Sequence, residues 1–227
     1  MSSTTATPLR IPIRDGESVS ARLCVPPNPL ACYVFAHGAG AGMDHEFMAA
    51  IAGGLAERAV ATLRFQFEYM ERGSKRPDAP KVAHLAVRAA VAGASRLLPA
   101  VPLFAGGKSF GARMTSQAQA ELPLAEVRAL AFLGFPLHPA GKPSTERAAH
   151  LREVGCPMLF LQGTRDELAD MTQLREAITP LGDRATLELF DDADHSFHVR
   201  ARSGRTDDQV RVSLLDVMSK WFARWLA

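Results

Sequence analysis

A serine flanked by glycines is the first feature of this chain that could do chemistry. The segment Gly107–Gly111 reads Gly-Lys-Ser-Phe-Gly, the pattern G-x-S-x-G. It follows the short apolar run Val101–Ala105 and precedes an Ala- and Gln-rich segment that stops before Pro123. This context predicts a strand, a sharp turn and a helix, with the hydroxyl of Ser109 raised at the tip of the turn. Small neighbours let such a turn close, so the pattern indicates a nucleophilic serine.

A histidine late in the chain can supply the base that such a serine needs. A hydroxyl is a poor nucleophile until a base takes its proton, and histidine titrates in the suitable range. His195 lies in the loop Asp191–Phe197, after the last predicted strand and before the last predicted helix. Ligands of open α/β sheets gather at the carboxyl ends of strands, which is where this loop begins. His198 is a weaker alternative, and the histidines expected on the surface are His84, His138 and His150.

A carboxylate must orient that base and stabilise the imidazolium formed during attack. Asp166 follows the apolar run Met158–Leu161 across Gln-Gly-Thr-Arg, so it too stands at the carboxyl end of a predicted strand. Glu167 and Asp170 are alternatives, and capping of a helix is the competing interpretation of Asp166. The sequence therefore predicts a Ser109, His195 and Asp166 triad.

A loop of small residues can hold the negative charge that develops on a substrate oxygen. His37–Gly40 reads His-Gly-Ala-Gly and follows the apolar run Ala31–Ala36. Small residues leave backbone N–H groups accessible to a ligand. The predicted oxyanion donors are the N–H of Ala39 and the N–H of Phe110, directly after the serine. His37 itself is expected to brace the loop.

The elements that must position these residues alternate along the chain. Leu9–Leu23 alternates around Asp-Gly, which predicts an antiparallel hairpin. Later apolar runs of strand length are typical of strands buried on both faces: Ala31–Ala36, Val60–Phe65, Val101–Ala105, Val127–Phe135, Met158–Leu161 and Thr186–Phe190. Helical periods between and after them predict helices from an N-cap at Asp44 to Arg58, over Val82–Leu97, from Phe110 to Ala120 and over Val210–Trp225. Such alternation predicts a parallel sheet covered on both faces. We expect one domain over 1–227, with residues 1–8 flexible.

The order of Ser109, Asp166 and His195 along the chain is that of α/β-hydrolases. Together with His37–Gly40, the motifs around these residues resemble the compact, capless, dienelactone-hydrolase-like branch of that superfamily. Asp44-His45 and the stretch Tyr69–Gly73 resemble a group of predicted bacterial hydrolases and the hydrolase-like domain of a histone acetyltransferase complex subunit. The resemblance implies an α/β-hydrolase fold, with a mostly parallel doubly wound sheet, an N-terminal antiparallel hairpin and no large cap domain. Dienelactone hydrolases carry cysteine as nucleophile, so Ser109 departs from them.

The function expected is that of a serine hydrolase, carboxylesterase- or thioesterase-like, that forms an acyl-enzyme with a small ester-like or acyl substrate. The apolar acyl site is assigned to the two loops 67–80 and 135–142, with Phe67, Tyr69, Met70, Phe135 and Leu137. One alternative is an interaction module that keeps the fold without catalysis. Another is a nucleotide-binding loop, since Gly-Lys-Ser resembles the end of a Walker A motif, but Pro102 stands where its first glycine belongs.

Composition limits the remaining classes. Apolar residues make up 47% of the chain and charged residues 22%, which is ordinary for a globular domain. A net charge of +2 lacks the basic excess expected of a nucleic-acid or membrane surface. The first residues lack the apolar core of a secretory signal, so we expect a cytoplasmic protein, monomer or homodimer. Cys24, Cys32 and Cys156 lack metal-ligand spacing and are expected to be reduced core thiols, and no cofactor or metal is expected.

Overall fold

The computed structural model describes residues 5–226. Its eight strands are β1 (Thr7–Arg14), β2 (Glu17–Cys24), β3 (Ala31–Ala36), β4 (Val60–Phe65), β5 (Leu103–Lys108), β6 (Val127–Leu133), β7 (Met158–Gly163) and β8 (Ala185–Phe190). Its six α-helices are α1 (Glu46–Ala56), α2 (Glu68–Glu71), α3 (Pro80–Leu97), α4 (Phe110–Glu121), α5 (Met171–Ile178) and α6 (Asp207–Ala223). Short 3-10 segments lie at Glu146–Glu153, Thr179–Arg184 and Ala201–Ser203.

All eight strands form one sheet in the order β1-β2-β4-β3-β5-β6-β7-β8. β1 and β2 pair antiparallel, and β2 pairs antiparallel with β4. Every other neighbouring pair is parallel. The predicted sheet with its N-terminal hairpin is therefore confirmed. Residues 1–4 of the segment expected to be flexible lie outside the described residues, whereas Thr7 and Pro8 belong to β1.

A hydrophobic core covers each face of the sheet, so the central strands are buried on both sides. Along β3, Cys32, Val34 and Ala36 face the core that contains α3 and α4. The alternate residues, among them Tyr33 and Phe35, face the core that contains α1 and α6. This alternation follows from the period of two residues in a strand. The strand that precedes Ser109, β5, is therefore packed on both faces.

Local chemistry differs from the prediction at the start of α1 and in the loop after β4. The N-cap of α1 is His45, whose Nδ1 accepts from the N–H of Phe47 at 3.2 Å. Asp44, the predicted cap, instead forms an ion pair with Arg22 of the hairpin. The stretch predicted as a loop over 67–80 contains α2, whose Glu68 pairs with Arg14.

Three histidines expected on the surface are not exposed. His84 and His138 are buried, and His150 is half-buried. His84 pairs with Glu121 at 2.8 Å, and the Nε2 of His150 lies 2.8 Å from Ser116 Oγ. The expectation failed because these partners come from elements distant in sequence. Between residues 5 and 226, no helix combines the length and apolar character needed to cross a membrane.

Candidate active site

Ser109 stands at the turn between β5 and α4 with a backbone that few residues adopt. Its φ is +51° and its ψ is −111°, outside the regions that L-residues favour. A side chain at Gly107 would meet the Ala36 carbonyl oxygen at 2.5 Å, and one at Gly111 would clash with the same oxygen. The glycines of the motif are therefore required for α4 and β3 to approach the turn, and the surrounding packing maintains the strained serine.

The structure brings together the three side chains that the sequence predicts as a triad. His195 Nε2 lies 2.9 Å from Ser109 Oγ, and His195 Nδ1 lies 2.7 Å from Asp166 Oδ2. These residues are separated by 86 and 29 positions in sequence. The side chain of Asp166 is 0% exposed, while that of His195 is 25% exposed. The carboxyl group of Asp166 is thus shielded from solvent, whereas the imidazole that contacts Ser109 is partly exposed.

Asp166 is held by two donors besides the imidazole. Its Oδ1 accepts from the N–H of Leu168 at 2.8 Å, and its Oδ2 also accepts from Gln162 Nε2. Gln162 is fully buried on β7, and its Oε1 accepts from the N–H of Phe135. The alternative acids are placed elsewhere, because Asp170 is the N-cap of α5 and Glu167 is exposed. These donors satisfy the hydrogen-bonding capacity of a buried polar side chain.

The loop that carries His195 is a tight turn organised by Asp194. Its Oδ1 accepts from the N–H of Ser196 at 2.8 Å and from the N–H of His198 at 3.0 Å. Phe197 has a φ of +64°, another strained residue beside the site. The imidazole of His198 lies 2.8 Å from Asp207, which raises the pKa of that histidine. The rival base is therefore engaged with α6 in an exposed ion pair.

The small-residue loop after β3 is braced from below by a neutral histidine. His37 is fully buried, with Nδ1 2.7 Å from the Gly38 carbonyl and Nε2 accepting from the N–H of Phe67 at 3.1 Å. Burial lowers the pKa of His37 to about 4, so the ring is neutral at pH 7. The N–H of Gly40 donates to the hydroxyl of Tyr69 at 3.1 Å.

Two backbone N–H groups beside Ser109 remain available for a ligand. Phe110 is the first residue of α4, so its N–H has no acceptor within the helix. Ala39 lines the same cavity as Ser109, and its N–H has no acceptor in the part of the chain that the structure describes. Ala39 therefore borders the same cavity as Ser109, and Phe110 directly follows the serine at the start of α4.

A cavity of about 840 Å³ opens at Ser109, and none of the five residues predicted for the acyl site lines it. Phe67, Tyr69, Phe135 and Leu137 are fully buried, and Met70 is half-buried. Phe67 and Tyr69 pack as aromatic neighbours of Phe110 and His37, next to the loop His37–Gly40. The assignment of these side chains to the acyl site is corrected, because four of them belong to a hydrophobic core and Met70 packs against it, and none borders the cavity.

Besides the residues around Ser109, the cavity is lined mainly by α1, α6 and the loop that carries His195. Its larger apolar lining residues are Phe47, Met48, Leu168, Phe197 and Leu214, and its polar lining includes His45, Glu46, His198, Asp207 and Arg211. The rings of Phe47 and Phe197 are stacked with centroids 6.1 Å apart. Phe197 could have been found from its place two residues after the base. Phe47 gave no such signal, because its spacing is equally typical of a core residue.

The cysteines and acidic residues do not form a second site. Cys24 and Cys32 are buried, as expected, and Cys156 is half-buried. Burial raises the pKa of Cys32 to about 12 and that of Cys156 to about 11, so neither is a ready nucleophile. Within residues 5–226, no cluster of three or more His, Cys, Asp or Glu could hold a metal ion.

Comparison with known proteins identifies relatives along almost the whole chain. A family model described as the alpha/beta hydrolase domain matches residues 29–223. The chain is similar to a dienelactone hydrolase from Anabaena variabilis, with a TM-score of 0.81 and 18% identity over 99% of this chain and 100% of that one. It is also similar to an α/β serine hydrolase without lid from Xanthomonas campestris (TM-score 0.73, 22% identity, 96% and 95% covered). A third similar structure is Est1E from Butyrivibrio proteoclasticus with bound ferulic acid, with a TM-score of 0.72 and 18% identity over 92% of this chain and 98% of that one. The predicted fold class is confirmed.

Proposed function

This chain belongs to the alpha/beta hydrolase domain family, and from that premise we propose that it is a serine hydrolase that forms an acyl-enzyme at Ser109. The observation that carries the proposal is the continuous chain of contacts from Ser109 Oγ to His195 at 2.9 Å and from His195 to Asp166 at 2.7 Å. A nucleophile, a base and an orienting acid within hydrogen-bond reach are the parts that acyl transfer needs.

In the proposed first step, His195 Nε2 takes the proton of Ser109 while Oγ bonds to the substrate carbonyl carbon. The electron pair of the C=O bond moves to oxygen, and the N–H groups of Ala39 and Phe110 stabilise that oxyanion. The oxyanion then re-forms C=O as the bond to the leaving alcohol or thiol breaks, and His195 donates its proton to the leaving group. Asp166 stabilises the imidazolium in between.

In the second step, a water molecule enters the place of the departed alcohol or thiol, and the same groups of the protein act on it. His195 takes a proton from water as its oxygen attacks the acyl-enzyme carbonyl, and then returns the proton to Ser109 Oγ as the acid leaves. The apolar lining of the 840 Å³ cavity favours an uncharged acyl or alkyl group. We infer small esters or thioesters as the substrate class.

Covalent labelling tests this proposal directly. A fluorophosphonate probe should label the wild-type chain on Ser109, and labelling should be lost in Ser109→Ala. Ser116→Ala is the matched control, because Ser116 is a buried serine on α4 that also lies 2.8 Å from a histidine. It should keep full labelling. Labelling that survives in Ser109→Ala would refute the assignment, and a wild-type chain inert to the probe and to short esters would favour the non-catalytic interaction module.

A further inference from the structure

Lys108 is a charged residue beside Ser109 that the proposed reaction leaves without a role. It ends β5, directly before the serine, and lines the same cavity. Its ammonium donates a hydrogen bond to the backbone carbonyl of His195. Its Cγ lies 3.7 Å from the position that a Cβ on Gly38 would take. The side chain of Lys108 therefore reaches from the loop His37–Gly40 to the loop that carries His195.

The groups around the Lys108 ammonium are ones that attract a cation. Asp166 and Asp194 provide negative charge that favours its protonated form. Its Nζ lies 5.6 Å from the centre of the Phe197 ring, a distance at which a cation is attracted to the ring face. A Cβ at Gly134 would lie 2.9 Å from Nζ and 3.3 Å from His195 Nδ1, so the ammonium and the imidazole border the same small space.

We propose that Lys108 is a positioning residue: its ammonium anchors the loop of His195 so that Nε2 stays within reach of Ser109 Oγ. The inference rests on the proposed function. A charged donor binds a carbonyl more strongly than a neutral one. The anchored loop lacks regular secondary structure from Asp191 to Arg200 apart from one bridge, Ala193 with Val199. Lys108 connects this loop to the rigid centre of the sheet.

The anchor has a pH dependence of defined sign. Burial lowers the pKa of Lys108 to about 8, against the opposing effect of Asp166 and Asp194. The groups that face it are those two carboxylates, the imidazole and carbonyl of His195 and the Phe197 ring. The ammonium is present below pH 8 and is lost as the pH rises through that value. Activity should therefore decline above about pH 8.

Stability should move in the opposite direction over the same range. The unfolded chain keeps Lys108 protonated up to its ordinary pKa of about 10.4, whereas the folded chain releases the proton near 8. Between these values the unfolded state binds more protons, so the contribution of Lys108 to the free energy of unfolding rises with pH. A residue that only supports the fold would not oppose activity and stability in this way.

The substitution Lys108→Met tests this proposal, because methionine keeps most of the length of the lysine side chain and removes its charge. We expect kcat on a p-nitrophenyl ester to fall about 10- to 150-fold, the loss of one hydrogen bond to a charged group, with KM little changed. The decline in kcat above pH 8 should disappear, and the thermal midpoint at pH 7 should not fall. The arginine of Lys108→Arg stays charged above pH 8, so kcat should fall less than in Lys108→Met. The decline in kcat above pH 8 should be absent from Lys108→Arg as well. Lys220→Met, an exposed lysine on α6, is the control and should match wild type.

The outcomes separate this inference from the function on which it rests. A wild-type chain that reacts with neither ester nor fluorophosphonate refutes both. A reactive wild type whose kcat and pH profile are unchanged in Lys108→Met refutes only the anchor. A loss of kcat in Lys108→Met that accompanies a lowered thermal midpoint, with the decline above pH 8 intact, reduces Lys108 to a structural support and also overturns the inference.

Discussion

Asp166→Asn is the substitution whose effect depends most on the details of this site. The new amide has one oxygen and one NH2 group for the two positions that the carboxylate oxygens occupy. The Oδ2 position faces His195 Nδ1 and Gln162 Nε2, and the Oδ1 position faces the N–H of Leu168. Whichever way the amide turns, its NH2 meets a donor.

The orientation of the new amide is decided by its buried neighbour Gln162, whose Nε2 cannot be left without an acceptor. Gln162 is fully buried, and its Oε1 is fixed by the N–H of Phe135, so its Nε2 must find an acceptor at the Oδ2 position. Leu168 is half-exposed, so water can reach its N–H more easily. We expect the amide oxygen to face His195, which keeps Nδ1 protonated and Nε2 ready to accept from Ser109.

The magnitude follows from this orientation. Loss of a charge-assisted hydrogen bond costs about 1.5–3 kcal/mol, which is about 10- to 150-fold in kcat. The opposite orientation would put Nδ1 in the wrong tautomer, at a cost of about 10⁴-fold. Adding Gln162→Glu replaces the donor by an acceptor, should turn the amide, and should move the loss to that larger value.

Steady-state kcat on a p-nitrophenyl ester measures all of these variants, with Asp170→Asn as control. Asp170 is a neighbouring acid that caps α5, and asparagine caps a helix equally well, so kcat should stay near wild type. A loss of less than tenfold in Asp166→Asn would mean that Asp166 is not the orienting acid. A loss near 10⁴-fold with Gln162 intact would refute the role given to that glutamine.

Three further predictions concern the loop, the cavity and acid stability. Tyr69→Phe removes the acceptor of the Gly40 N–H and should lower kcat by about 2- to 12-fold, the value of one neutral hydrogen bond, with KM nearly unchanged in ester kinetics. Phe47→Ala enlarges the apolar wall and should raise the ratio of kcat/KM for octanoate over acetate esters; an unchanged ratio would place the acyl group elsewhere. Burial holds the pKa of His37 and of His150 at about 4, so the unfolded chain binds more protons between about 6.5 and 4. The thermal midpoint should fall as the pH drops through that range, and this fall should shrink in His150→Gln.

The sequence determined the elements and the strand ends that carry the proposed chemistry. Gly107–Gly111, Asp166 and His195 each follow an apolar run, and the carboxyl ends of parallel strands meet at one edge of a sheet. Strand periods, turn residues and motif order are local properties, so they can be read without knowledge of what packs against them. The parallel sheet, its hairpin and the convergence of three distant side chains were therefore predictable.

Only the tertiary structure decided which side chains face the substrate and which fill the core. Phe67 and Tyr69 follow a strand end just as the site residues do, yet their rings pack against His37 and Phe110 in the core. Phe47 has the spacing of a core residue, yet it borders the cavity with Phe197. The reach of Lys108 to His195 crosses 87 positions. Such contacts depend on how helices dock on the sheet, because the same apolar pattern serves a core and a cavity wall equally well.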